Sequence, residues 1–89
     1  MLRQSNGTSA ATQGLAIAQY NLGTMYDIGK GVREDNLAAY VWFSVAAAQG
    51  DKDAMSSREG IGALLTPEQL AKGDETAMRC FDSGFKDCN

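Results

Sequence analysis

The stretch Ala10-Ala11-Thr12-Gln13-Gly14 returns 36 residues later as Ala46-Ala47-Ala48-Gln49-Gly50, with four of the five positions identical. Ala18 and Ala54 keep the same offset. A period of this length belongs to stacked helical pairs, whose units cannot bury their apolar faces without neighbours. The chain should therefore enter in the tail of one repeat, complete a second and begin a third.

Helical spacing supports this. Ala18, Leu22, Met25 and Tyr26 fall on one face of a helix expected from Leu15 to Ile28, with Gly29 placed as a left-handed stop. Asp35 stands where an N-cap is wanted, before a second helix over Asn36–Gln49 whose apolar face is Ala39, Trp42, Phe43, Ala46 and Ala47. A short turn through Gly29-Lys30-Gly31 makes the two an antiparallel hairpin. A third helix is expected over Lys52–Leu65, weakened by Gly60 and Gly62. Thr66-Pro67-Glu68-Gln69 then reads as a capping box with proline at the first helical position. It opens a fourth helix to about Ser83, with Leu70, Ala77 and Phe81 inward and Gly84 at its end. Long β-branched runs are missing. The expected fold is all-α: a fragment of an α-α superhelix, about four helices in two antiparallel hairpins.

Composition removes several functions. Eighty-nine residues with 44% hydrophobic content make one small globular unit with a thin core. A net charge of −3, with lysine and arginine scattered, leaves no basic patch for nucleic acid or an anionic membrane. No apolar run approaches a membrane span, and Met1–Gln13 lacks the apolar core of a signal peptide. The chain has no histidine, the commonest general base and metal ligand. Its two cysteines, spaced C-x7-C, fit no common zinc pattern, so no metal or cofactor is expected. Asn6-Gly7-Thr8 fits an N-glycosylation triplet and is read as loop chemistry.

Together Ala18-Gln19-Tyr20-Asn21-Leu22-Gly23-Thr24-Met25-Tyr26, Gly29-Lys30-Gly31-Val32, Asp35, Ala39, Trp42-Phe43, Ala46-Ala47 and Gln49-Gly50 resemble the Sel-one-like repeat (SLR) family, a branch of the tetratricopeptide-like solenoids. After Ala54 the likeness fades, since Ser56-Ser57-Arg58-Glu59 replace the expected Tyr-Asn-Leu-Gly. The resemblance implies residues 1–13 as a loose start and truncated tail, 14–50 as the complete repeat, and 51–89 as a degenerate repeat helix plus a C-terminal capping helix. It further implies a non-catalytic scaffold or adaptor that binds a protein or peptide on the concave face of its first helices. Here that face is Tyr20, Thr24 and Asp27, which would otherwise be an ordinary solvated surface.

Two other readings compete. Cysteine-bearing members of the family raise a β-lactam-binding or hydrolysing protein, and Ser83-Gly84-Phe85-Lys86 fits S-x-x-K. Neither S-D-N nor K-T-G accompanies it, and the motif straddles a helix-ending glycine, so no catalytic residue is assigned. A self-associating structural protein is the other reading. Ala10, Ala11, Leu15 and Ile17 lack a complete repeat to cover them, which favours a homodimer.

Cys80 and Cys88 resemble the stapled pairs of cysteine-bearing SLR proteins. On one continuous helix they would lie about 12 Å apart, too far to join, so a bridge requires a reversal at Gly84 with Phe85 folding back toward Cys80. The alternative is two independent thiols, because Cys88 is penultimate. A bridge implies a periplasmic or secreted protein, whereas a chain complete without a leader implies the cytoplasm.

Overall fold

The computed structural model describes Ala11, residues 14–31 and residues 33–88. Ala10, Thr12, Gln13, Val32 and the Asn6-Gly7-Thr8 triplet lie outside the described residues. Four helices, α1 (Ala16–Ile28), α2 (Asn36–Ala48), α3 (Lys52–Gly62) and α4 (Pro67–Asp82), make up the fold, with no strand among the described residues. No helix among them is long and apolar enough to cross a membrane.

Local chemistry sets the boundaries. Gly29 takes the left-handed conformation (φ 73°) and its N–H donates to the Met25 carbonyl, closing α1. Asp35 Oδ1 accepts from the Ala38 amide at 3.0 Å and opens α2. The Gly50 and Asp51 amides bond back to Ala47 and Ala46, ending α2 in a tight reversal. Asp51 Oδ1 then accepts from the Ala54 amide at 2.9 Å, a cap the sequence reading left unassigned. Thr66 and Gln69 form the reciprocal capping box at the start of α4.

The third helix is shorter than expected. It ends at Gly62, and Ala63–Leu65 wind into i→i+3 turns, with Leu64 bonded to Ile61 and Leu65 to Gly62. The residue before a proline avoids the helical region, and Thr66 is extended (ψ 161°), so the chain must leave the helix before it.

Helix α2 is the hub. Ala39 to Phe43, Val45 and Ala46 are all buried, and α1, α3 and α4 each pack on it. One core cluster joins Leu22 of α1, Trp42 and Val45 of α2, and Ala77 and Cys80 of α4, with Ala11 beneath them. A second joins Tyr40 and Phe43 of α2 to Ile61 of α3. Helices α3 and α4 meet at their connecting turn and pack mainly on α2 rather than on each other. The second helix pair is therefore a hairpin splayed across the hub.

Close approach decides how α4 lies. A Cβ at Gly73 would stand 2.7 Å from Tyr40 Cδ2, so the missing side chain lets α4 settle over the tyrosine ring. Gly23 plays the same part on α1, where a Cβ would meet Phe43 Cδ1 at 2.7 Å. The inward stripe of α4 is Gly73, Thr76, Ala77 and Cys80. Phe81, expected inward, is 47% exposed; it lies one residue beyond that stripe and meets Phe85 edge-on at 5.6 Å.

Candidate interaction surfaces

Tyr20, Thr24 and Asp27 stand at i, i+4 and i+7 on α1, and all three are half-buried. Their side chains are not equivalent. The Tyr20 ring tilts against Phe43 at 5.7 Å and belongs to the edge of the second core cluster. Thr24 Oγ1 donates back to the Tyr20 carbonyl at 3.1 Å, which turns the hydroxyl along the helix. Asp27 closes the stripe beside the Gly29 turn.

Gln19, one position before Tyr20, is fully buried and polar. Its Nε2 donates to the Ala11 carbonyl at 3.1 Å, and its Oε1 accepts from Gln49 Nε2 at 2.8 Å. A buried amide must have its donors and acceptors met, and this one ties Ala11 to the end of α2. The only hint in the sequence was a long polar residue beside Ala18 on the inward side.

A second polar group holds α3 and α4 to the hub. The Tyr40 hydroxyl donates to Asp74 Oδ1 at 2.6 Å, and Arg58 Nη2 reaches the same oxygen at 3.3 Å. Arg58 Nε donates to Ser44 Oγ at 2.9 Å, and its guanidinium lies 5.0 Å over the Tyr40 ring. Burial pushes the Tyr40 phenol up, and its bond to the Asp74 carboxylate pushes it further, against an opposing pull from Arg58. Arg58 falls within Ser56-Ser57-Arg58-Glu59, the segment that departs from the repeat pattern, and that departure is the one signal of it in the sequence.

The wedge between α3 and α4 is an open trough of about 760 Å³ floored by α2. Val45, Ala47 and Ala48 form its floor, with Met55 on one wall and Met78 and Phe81 on the other. A smaller recess on the opposite flank of α4, beside Lys72 and Thr76, takes Cys88.

Cys80 and Cys88 are bonded to each other, with their Cα atoms 4.3 Å apart. Gly84 (φ 70°) and Phe85 (φ 68°) reverse the chain, and the Phe85 amide donates to the Cys80 carbonyl at 2.7 Å. The Phe85 ring lies against Gly14, so this closed turn also covers the chain just before α1. Ser83 Oγ donates to the Cys80 carbonyl and accepts from the Lys86 and Asp87 amides. The serine of the S-x-x-K match is thus occupied as a turn cap. No cluster of potential metal ligands occurs among the described residues.

Comparison with known proteins follows the same geometry. Residues 16–51, which run from the start of α1 to the cap of α3, match the model of the Sel1 repeat. The chain is also similar to the alginate biosynthesis protein AlgK of Azotobacter vinelandii, 36% identical over 67 residues. That alignment covers 75% of this chain and 15% of the relative, so the chain spans a small part of the curated protein it matches. No solved structure matches it.

Proposed function

From the Sel1 repeat that this chain carries across residues 16–51, we propose a non-catalytic scaffold or adaptor that binds a protein segment on the α1 face. The observation that carries this is the packing of α1 on the hub. Its inner side, Gln19, Leu22 and Gly23, is buried, which leaves Tyr20, Thr24 and Asp27 half-buried on one stripe of the helix. In this reading 14–50 is the complete repeat, and 51–89 is a degenerate repeat helix closed by the capping helix α4. A photo-crosslinking residue at Thr24 should capture a discrete protein partner in cells, while the same residue at Asp53, on the outer side of α3, should not. Equal capture at both positions, or turnover of nitrocefin by the purified chain, would overturn it.

A homodimer is a further part of the proposal. Leu15 and Ile17 are 53% and 62% exposed at the N-terminal end of α1 and form an apolar edge suited to a second copy. Sedimentation at high micromolar concentration should show dimers, and a strictly monomeric profile refutes this. The Cys80–Cys88 bond supports an oxidising, extracytoplasmic setting.

A further inference from the structure

The geometry points to the trough between α3 and α4 as a second docking site, distinct from the α1 face, for one amphipathic helix of a partner whose apolar stripe is flanked by lysine or arginine.

The shape comes first. Helices α3 and α4 diverge from a shared turn over a floor of α2, which leaves open the place that one more helix takes in a helical stack. Ala47, Ala48 and Ala77 are small and permit close approach of a backbone. Met55, Met78 and Phe81, three large apolar side chains, are 45%, 66% and 47% exposed and all line this one trough. Methionine is unbranched and adaptable, and it suits a surface that moulds itself to an incoming helix. An apolar trough with small residues on its floor and adaptable side chains on its walls suits the helix-in-groove mode of peptide recognition.

Charge selects the occupant. Four charged residues line the trough: Arg58, Glu59, Asp74 and Asp82. Arg58 and Asp74 neutralise each other at 3.3 Å. Glu59 on one wall and Asp82 on the other have no ion-pair partner among the described residues. Asp82 also sits in the last turn of α4, where the carbonyl ends of the helix already disfavour a carboxylate. Its placement costs the fold stability and is recovered by a cation laid across the trough. The chain's own C-terminal turn does not fill the site, because the bond to Cys88 draws that turn to the opposite flank of α4.

The test uses the full chain with its methionine methyl groups labelled for NMR. The probes are two model amphipathic peptides of about 14 residues, roughly four turns, one of leucine and lysine and one of leucine and glutamate in the same pattern. The lysine peptide should shift the Met55 and Met78 methyl signals saturably and leave Met25, on α1, in place. The glutamate peptide should leave all three. E59K/D82K should weaken the lysine peptide by about tenfold or more, whereas E34K/D53K, the same charge change outside the trough, should leave it unchanged. Equal binding of both peptides, no saturable binding, or a shift at Met25 in place of Met55 and Met78 overturns the proposal. So do Met55 and Met78 signals that move when the protein alone is diluted, since a second copy would then fill the trough. The α1 reading survives each of these failures, because its crosslink at Thr24 is measured on another surface.

Discussion

Gln49 donates to Gln19 through 2.8 Å, and the two residues stand 30 positions apart, one near the start of α1 and the other just past the end of α2. Gln19 passes the connection on to the Ala11 carbonyl, so one buried amide joins three segments. Replacing Gln19 with leucine removes both bonds and leaves the Ala11 carbonyl buried without this donor. The expected cost is about 1–3 kcal/mol in urea unfolding. A Gln19→Leu protein as stable as the parent would mean that the amide is not the tie.

Tyr40→Phe tests the corresponding tie on α4. The bond to the Asp74 carboxylate is charge-assisted and should contribute about 1.5–3 kcal/mol at neutral pH. The phenol is raised above its ordinary value of 10.0 in the folded protein. An acid raised on folding stabilises fully below its unfolded value and loses that contribution as pH climbs through the folded one. Stability of the parent should thus fall above about pH 10, and Tyr40→Phe should flatten that part of the curve. Identical alkaline profiles for the two proteins would refute this.

Three glycines should respond to alanine with opposite signs. Gly23→Ala and Gly73→Ala each drive a Cβ to 2.7 Å from an aromatic ring and should destabilise by about 1–3 kcal/mol. Gly60→Ala meets nothing within 4 Å and should stabilise α3 by up to about 1 kcal/mol. Thermal unfolding of the three variants decides, and a uniform gain would show that α1 and α4 can back away from α2.

The bond between Cys80 and Cys88 closes a short loop, and opening it should cost about 2.5 kcal/mol in the chain-entropy model. The denatured, unreduced protein should titrate with no free thiol. Reduction should lower the melting temperature and raise the amide exchange of Phe85, whose left-handed backbone then has one restraint fewer. Unchanged melting on reduction would show that packing of Phe85 on Gly14 holds the turn unaided.

What the sequence discloses follows the range of each interaction. Gly29, Asp35 and the Thr66–Gln69 box act within a few residues, so their chemistry is readable in place, and the short Gly29-Lys30-Gly31 turn gives the pairing of α1 with α2. Asp51 acts at equally short range, but it directly follows Gly50, whose helix-ending signal masks the cap that comes after it. The ties from Gln19 to Gln49 and from Tyr40 to Asp74 span 30 and 34 residues, and periodicity does not say which polar groups will meet. The splay of α3 from α4 was hidden for a related reason. An apolar stripe gives the buried side of a helix but not its tilt, and here the tilt depends on one absent Cβ, at Gly73 over Tyr40. Tyr20 shows the reverse case: its position on the α1 stripe was legible, but the turn of its ring onto Phe43 was not.

Because α4 covers the Val41 and Val45 flank of α2, that flank is closed late in synthesis. Asp82, the final residue of α4, is translated 34 residues after Ala48. At about 5–20 residues per second, the Val41 and Val45 side of α2 waits roughly 2–7 s for α4, which brings Ala77 and Cys80. During that interval a helix of valine, tryptophan and phenylalanine is present on the nascent chain with one flank bare, which makes residues 36–48 a segment for a ribosome-associated chaperone to cover.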